Sequence, residues 1–375
     1  MDILKATAQF EDWLRKRIPV AEADLSFKHE QMRADPFLFF RATYYRWAQL
    51  WPKLCPKLAC AHEVLAVGDL HIENFGTWRD AEGRLVWGVN DFDEAHPMAF
   101  TNDLVRVAVS ALLSLRADPE LKAGPGDIFE QLLAGYRECV SAGGEPLVLM
   151  ERHGELRRMA TQELRQPAQF WKRMEAKIAR PSGGLPDGLR RAFRKLLPPG
   201  IEPAYRVLKE PKGLGSLGRR RFLAVASWEG GLIAREAKDV VPSAMLWAAR
   251  DRAGKGNPWL EKTVAAAVRC EDPFYTVKGR WLVRRLAPDC SRIDLEELKH
   301  HENFASLLHS MGWETANIHL GTPKVRKDLL AALRRLPGKW LEEASHVMLE
   351  KSLEDWRVFK KSPPAGKTRR GAGRA

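Results

Sequence analysis

Residues 67–75 read VGDLHIENF, and residues 90–94 read NDFDE. The apolar run between the two stretches predicts a strand, which would place each stretch in a loop at a strand end. Carboxylate and amide oxygens are the ligands that Mg²⁺ prefers, and Mg²⁺ usually keeps some of its waters. We therefore predict that Asn74 and Asp91, with Asp93 as a further ligand, hold a hard cation on two loops.

Asp69 is then left free to serve as a base. The alternative is that Asp69 and Asp91 are turn residues, because Asp closes loops by bonding to nearby backbone. His71 has two interpretations as well: contact with an acceptor or a phosphate, or hydrogen-bonded packing. The joint pattern of the two stretches favours a functional site.

Composition sets the class of protein. A hydrophobic content of 45% in 375 residues excludes disorder of the whole chain and allows two or three domains, or one two-lobed fold. No run of eighteen apolar residues occurs, so neither a membrane span nor a secretory signal is predicted. Five scattered cysteines indicate reduced thiols in a cytoplasmic protein.

The net charge of +13 makes nucleic acid a possible partner, because a basic surface releases counterions from phosphates. However, residues 359–375 carry six basic residues and no acidic one, and we predict a disordered basic tail there. The remaining charge equally suits a nucleotide or a phosphorylated small molecule. Nucleic acid is not favoured, since no interleaving of aromatic with basic residues is present.

Composition and periodicity divide the chain into six segments. They are a helical extension at 1–31, a segment with both quoted loops at 32–180, a linker at 181–203, a β-rich segment at 204–290, terminal helices at 291–358 and the tail at 359–375. Within them we predict a buried helix in the segment 32–51 that opens at Asp35-Pro36, strands at 85–89 and 281–286, and a hairpin over 222–237.

A glycine run, Gly213, Gly215, Ser216 and Gly218, fits the spacing G-x-G-x-x-G. The β-type segment that follows it favours a loop between two strands that covers nucleotide phosphates, as in kinases. A flexible hairpin without a ligand is the alternative, because short motifs have a high false-positive rate.

Arg235 and Lys238 lie on or just past the second strand of the predicted hairpin, where a cation could bind those phosphates. Exposed strand charges are the ordinary explanation. Glu261, on the helix that follows, is a candidate partner for that cation, or else a solvated helix charge. Phosphoryl transfer needs an acid near the acceptor hydroxyl and metal ligands that bridge the phosphates, and Asp69, Asn74 and Asp91 would supply these.

Two further residues are candidates for structural support. Arg41 lies among aromatic residues and would pair with an acid or face a phosphate. Asp103 begins a helical run and would either cap that helix or brace the loop at Asp69.

The two quoted stretches resemble the catalytic and metal loops of the protein-kinase-like superfamily, in particular its aminoglycoside and choline phosphotransferases. The chain resembles still more closely a bacterial family called domain of unknown function 2252. Its hallmarks are present over the segments 32–41, 68–76, 90–94, 213–218, 235–237, 272–274 and 283–286. The resemblance implies an α+β, helix-rich, two-lobed protein-kinase-like fold.

The sequence departs from this pattern in two places. Gly213 follows Asp69 along the chain, whereas in an ordinary kinase the glycine loop comes first, so the lobes would be in circularly permuted order. Arg235 stands where the bacterial family usually has lysine, and an arginine fork is not equivalent to an ammonium group. Nucleotide binding would then be weakened unless Lys238 takes over.

The resemblance implies a kinase-like phosphotransferase that uses ATP and Mg²⁺ and acts on a hydroxyl of an unknown small-molecule acceptor. Three alternatives remain: a nucleotidyl transferase, a nucleotide-binding pseudokinase, and a nucleic-acid-binding protein that uses the basic tail.

Overall fold

The structure is a computed structural model of the chain. It describes residues 1–118, 124–149, 153–162, 167–178, 186, 188–201, 206–209, 218–251, 254, 256–290 and 304–363. Among these residues, no helix is both long enough and apolar enough to cross a membrane.

The chain begins with five helices that share one core with the rest of the helical part. They are α1 (Ile3–Arg15), α2 (Glu22–Ala34), α3 (Pro36–Ala42), α4 (Tyr44–Leu54) and α5 (Pro56–Ala59). Helix α2 runs across the predicted boundary between residues 31 and 32, so the N-terminal extension and the following segment share a helix.

The helix opening predicted at Asp35-Pro36 is confirmed, but the single helix predicted from there to residue 51 is wrong, because the structure has a helix boundary at Thr43. Asp35 caps α3 through a 2.7 Å hydrogen bond from the backbone N–H of Leu38, with Pro36 at the first helical position. Thr43 leaves the helical conformation (φ −120°, ψ 35°) between α3 and α4.

Two small antiparallel sheets carry the two quoted stretches. The first pairs β1 (Glu63–Ala66) with β4 (His96–Ala99), and the second joins β2 (Phe75–Arg79), β3 (Leu85–Val89) and β5 (Leu147–Val148). The strand predicted at 85–89 is confirmed. Residues 67–74 connect β1 to β2, and residues 90–95 connect β3 to β4, so both loops lie at strand ends.

Long helices enclose these sheets. They are α6 (Thr101–Ala117), α7 (Pro125–Ala142), α8 (Gly154–Gln162), α13 (Phe304–Leu320), α14 (Arg326–Arg335) and α15 (Trp340–Lys361). Helices α7 and α13 pack closely through glycines. A Cβ atom at Gly135 would overlap the backbone carbonyl of His309, and one at Gly312 would overlap that of Leu132. The absence of side chains at these glycines lets the two backbones approach.

A five-stranded antiparallel sheet forms the β-rich part, in the order β6-β7-β8-β10-β9. Its strands are β6 (Arg206–Lys209), β7 (Arg221–Trp228), β8 (Gly231–Asp239), β9 (Thr276–Lys278) and β10 (Trp281–Leu286), with α11 (Ala244–Ala248) and α12 (Pro258–Ala266) between β8 and β9. The predicted hairpin and the predicted strand at 281–286 are confirmed. One face contacts α10 (Leu189–Arg194) and the other contacts α9 (Pro167–Ile178).

The predicted basic tail starts too early. Helix α15 continues to Lys361, and Phe359 is buried against Phe39, with the ring centroids 5.6 Å apart. This apolar contact extends the helix past residue 358. Residues 364–375 lie outside the described residues. The mixture of helices with antiparallel sheets is the predicted α+β class.

Candidate functional site

One face of helix α6 holds the loop that contains Asp69. Asp103 is fully buried, and its carboxylate accepts hydrogen bonds from the backbone N–H groups of Val67 (2.7 Å) and Gly68 (3.0 Å). Ser110, two turns later, accepts one from the backbone N–H of Ile72 at 3.0 Å. Asp103 thus braces the loop, the second of its two predicted roles.

Arg106, between these two residues on the same helix face, binds Asp69 directly. Its Nε lies 2.9 Å from Oδ1 of Asp69, and its Nη2 contacts the same oxygen. The guanidinium group is fully buried, and its central carbon lies 4.1 to 5.0 Å from the ring centroids of Phe40, Tyr44 and Trp47. Arg106 therefore fixes the position of Asp69 from the side opposite to solvent.

Burial is the larger influence on Asp69 and raises the pKa of its carboxyl, while the charge of Arg106 offsets part of that effect. A fifth of the side chain remains exposed. A carboxylate with a raised pKa is a stronger base than an ordinary aspartate, which suits it to accept a proton from a hydroxyl.

Gly68 brings this loop against the second one. Its φ is +84°, a left-handed conformation, and a Cβ atom there would lie 2.5 Å from the carbonyl oxygen of Glu94 and 2.8 Å from the hydroxyl of Tyr44. Only glycine fits such a close approach at this φ. The Gly-Asp pair in the sequence therefore sets the contact between the two loops.

His71 and Asn74 stabilise the turn after Asp69. The side-chain oxygen of Asn74 accepts a 2.7 Å hydrogen bond from the backbone N–H of His71, and the backbone carbonyl of Asn74 accepts one from Asn90 (3.0 Å). His71 is buried, with its ring edge-on to Phe37. Arg41, the other predicted support residue, pairs with Glu73 on the same turn.

Lys238 joins the second loop to the five-stranded sheet. Its Nζ lies 3.1 Å from Oδ1 of Asp91 and 2.7 Å from Oδ1 of Asp93, and the lysine side chain is only 3% exposed. Burial opposes ionisation of Asp91, but Lys238 and the nearby arginines outweigh it and lower its pKa to about 2. Asp91 is therefore an ionised carboxylate at neutral pH, and 39% of its side chain faces solvent.

A second cation, Arg219, binds the far end of the same loop. It donates to Asp93 at 3.2 Å and to Oε1 of Glu94 at 3.0 Å, while Oε2 of Glu94 accepts a 2.6 Å hydrogen bond from the backbone N–H of Ala244. Burial raises the pKa of Glu94 to about 7, and Arg219 offsets only part of the effect. Each end of the loop is therefore attached to the β-rich part by an ion pair.

Beside Lys238 on β8, Glu236 forms a buried triad with two arginines. It accepts from Arg221 and Arg284, each at 2.7 Å. Burial opposes ionisation of Glu236, but the two guanidinium groups hold the pKa of this carboxyl well below its usual range. The three side chains lie on the neighbouring strands β7, β8 and β10, and their ion pairs fix the sheet surface that faces Asp91.

The other predicted site residues are placed elsewhere or only partly described. Arg235 lies on the opposite face of β8, where it donates to the carbonyl oxygen of Leu196 (3.0 Å) and stacks over Phe274 at 4.1 Å. Glu261 is exposed on α12. Residues 213, 215 and 216 lie outside the described residues. Gly218, at the end of the glycine run, is buried against α2 with a φ of +94°.

The donor set at Asp91 and Asp93 fits Mg²⁺. Both carboxylates already converge on one cation, the ammonium group of Lys238, and Mg²⁺ needs only one or two carboxylates when phosphates and waters complete its shell. In the described part of the chain, no cluster of three or more His, Cys, Asp or Glu side chains is placed to hold a metal by itself. A metal ion bound here would therefore need phosphate oxygens of a bound ligand to complete its coordination shell.

Sequence reasoning missed three residues that hold the loops: Arg106, Ser110 and Arg219. A signal for the first two was available. They share a face with Asp103, at spacings of three and seven residues, in a helix that is otherwise largely apolar. Arg219 had no comparable signal, because it stands in a run of three arginines, 219–221, each of which pairs with different carboxylates.

Glu314, on α13, is another buried carboxylate behind the site. It accepts hydrogen bonds from the backbone N–H of Val89 and from the side chain of Asn317, both at 3.1 Å. Burial raises its pKa to about 7, and Arg269 only partly offsets this. Since Val89 directly precedes the NDFDE stretch, Glu314 supports that loop from behind.

The raised pKa of Glu314 predicts a pH effect on stability. The folded state binds this proton more tightly than the unfolded state, whose pKa is near 4.5. The contribution of Glu314 to the free energy of unfolding is complete below that pH. It declines by up to about 3 kcal/mol as the pH rises to about 7. Urea unfolding should therefore show Glu314→Gln gaining stability relative to the wild type over this range. A constant difference would contradict the assignment, and exposed Glu343→Gln is the control.

Comparisons of the chain with curated proteins and with solved structures each gave no match. Comparison with protein families gave a match that covers helices α2 to α9 and both loops. Residues 20–183 match the family described as uncharacterized protein conserved in bacteria (DUF2252), and this part of the chain is similar to that family.

Proposed function

We propose that the protein is a Mg-ATP-dependent phosphotransferase that acts on a hydroxyl group of a small molecule. The observation that carries this proposal is the contact of Lys238 with both Asp91 and Asp93, next to the loop that presents Asp69. Phosphoryl transfer requires a phosphate-binding lysine, metal-binding carboxylates and a base near the acceptor, and little further covalent chemistry.

The layout of the β-rich part supports the proposal. The glycine run lies between β6 and β7, the first two strands of the sheet in chain order, and Lys238 lies on β8, the third. Protein kinases place a glycine-rich loop over the phosphates and their lysine on the third strand. A kinase-like fold with its lobes in permuted order, the Asp69 loop first and the glycine run second, is part of this proposal.

Each group then has a defined task. The acceptor oxygen attacks the γ-phosphorus of ATP, the bond from that phosphorus to the β,γ-bridging oxygen breaks, and ADP leaves. Asp69 accepts the hydroxyl proton or orients it toward transfer. Asp91 and Asp93 would hold Mg²⁺, which neutralises the phosphate charge when bound, and Lys238 would move from these carboxylates to the phosphates.

Labelled ATP tests the reaction class. Purified protein with Mg²⁺ and a set of hydroxylated metabolites should transfer label from γ-labelled ATP and release ADP. Transfer from α-labelled ATP with release of pyrophosphate would instead identify a nucleotidyl transferase. Stabilisation by ATP without turnover of either label would identify a pseudokinase. If ATP neither stabilises the protein nor is turned over, the proposal is wrong.

The two cations of β8 make contrasting predictions for nucleotide binding. Lys238→Met should weaken Mg-ATP binding at least about 10-fold, because it removes a charged contact to the phosphates. Arg235→Met, its matched control, should change the affinity less than about 2-fold, since Arg235 lies on the other sheet face. Calorimetric titration measures both. A loss confined to the Arg235 variant would reverse the assignment.

A further inference from the structure

A narrow pocket lies beside Asp69 and is covered by the N-terminal helices. Its polar wall consists of Lys28, Arg41, Asp69, Glu94 and Arg219, and the rest is apolar or aromatic: Phe10, Leu14, Ala42, Tyr44, Tyr45 and Ala244. Helix α2 therefore places Lys28 next to Asp69, the predicted base. The sequence indicated no role for this N-terminal extension.

Four of the five charged residues that line this pocket have ion-pair partners. Asp69 pairs with Arg106, Arg41 with Glu73, and Arg219 with both Asp93 and Glu94. The fifth, Lys28, makes no side-chain hydrogen bond or ion pair within the part of the chain that the structure describes.

Neighbouring carboxylates offset only part of the cost of burying the charge of Lys28. Glu11, on α1, is in contact with His29 at 2.6 Å and also lies near Arg15. Lys28 is 6% exposed, and burial lowers the pKa of its ammonium group to about 8, with the charge of Glu11 opposing the shift. Lysine is rarely buried without a partner, because the uncompensated charge destabilises the folded state.

We propose that Lys28 binds an anionic group, a carboxylate or a phosphate, on the acceptor molecule whose hydroxyl faces Asp69. This inference rests on the proposed function and defines its substrate class as an anionic hydroxyl compound. The ammonium group of Lys28 supplies the counter-charge, and Tyr44 and Tyr45 border the pocket with aromatic surface.

The size of the pocket fits the end of a ligand. Its water-accessible volume is about 20 Å³, whereas pockets that enclose a whole drug-sized ligand span about 300–1,000 Å³. The charged end of the acceptor would lie between α2 and the Asp69 loop, with the remainder directed toward solvent.

Anion titrations of the full-length protein test this inference without an identified acceptor. Thermal unfolding is followed against inorganic phosphate in one series and acetate in another, with chloride holding the ionic strength constant. Lys28→Met should weaken binding of the preferred anion about 10-fold, because one charged contact is lost. Lys28→Arg should retain binding, and Lys16→Met, an exposed lysine at the end of α1, should match the wild type.

The measured quantity is the difference in anion affinity between the wild type and the Lys28 variants. The wild-type affinity alone is not sufficient, because Lys238 offers phosphate another site. Wild-type affinity in Lys28→Met for both anions would overturn the inference, whereas loss for phosphate alone or acetate alone identifies the anionic group. Lys28→Gln replaces the Met variant if circular dichroism shows that the latter is unfolded. Mg-ADP stabilisation of the wild type and Lys16→Met, measured separately, reports on the proposed function.

Discussion

Asp69→Asn should lower the rate of phosphoryl transfer by about 10²- to 10⁴-fold, the contribution expected of a positioned general base. The substitution keeps the shape of the side chain but removes its capacity to accept a proton. ADP release from Mg-ATP, with an acceptor found by the metabolite screen, measures the effect. Nucleotide affinity should stay near the wild-type value, since the proposed phosphate contacts come from Lys238 and the NDFDE loop.

Asp80→Asn is the matched control for this variant. Asp80 is as buried as a site residue and accepts hydrogen bonds from Arg84 and from the backbone of its hairpin, but it lies at the other end of β2. Its substitution should reduce stability without a comparable loss of rate. Equal losses of rate in the two variants would mean that Asp69 acts through folding and not through chemistry.

The raised pKa of Asp69 also gives the direction of the pH dependence. A base must be deprotonated to act, so the rate should fall as the pH falls through the pKa of this carboxyl. Because burial raises that pKa above the ordinary aspartate value, the decline should begin at a higher pH than for an exposed carboxylate.

Local patterns predicted the elements that position the site, but not the pairings between them. Short-range periodicity and turn residues predict the strand at 85–89, the hairpin and the strand at 281–286. These signals can be recognised in the sequence without knowledge of the fold. Asp103 and Lys28 illustrate the limit: their positions are local, but their partners lie far away along the chain. No local pattern distinguishes Lys28 from the other polar residues of α2.

The two cations of β8 show the same limit more sharply. Side chains three residues apart on a strand point to opposite faces, so Arg235 and Lys238 were never equivalent candidates. Each follows an alanine and precedes an acidic residue, and the strand is buried on both faces from Ala234 to Asp239, so alternation alone did not identify the face toward Asp91. The resemblance to the bacterial family pointed to the position of Arg235, whereas the structure brings Lys238 to the carboxylates.

The buried ion pair of Arg106 with Asp69 gives the largest expected effect on stability. Arg106→Met leaves the Asp69 carboxylate buried without its counter-charge, and breaking such a pair costs about 3–5 kcal/mol. Urea unfolding measures the loss. Arg116→Met, on the same helix, is the control: its ion pair with Glu350 is half exposed and should contribute at most about 1 kcal/mol.

A double variant separates the ion pair from simple packing. Because Asp69→Asn removes the charge that Arg106 compensates, the combined loss in Asp69→Asn/Arg106→Met should be smaller than the sum of the single losses. Additive losses would show that Arg106 acts through its contacts with Phe40, Tyr44 and Trp47 alone. The single Arg106→Met variant should also move the acid limb of the rate profile to higher pH, since Arg106 lowers the pKa of Asp69.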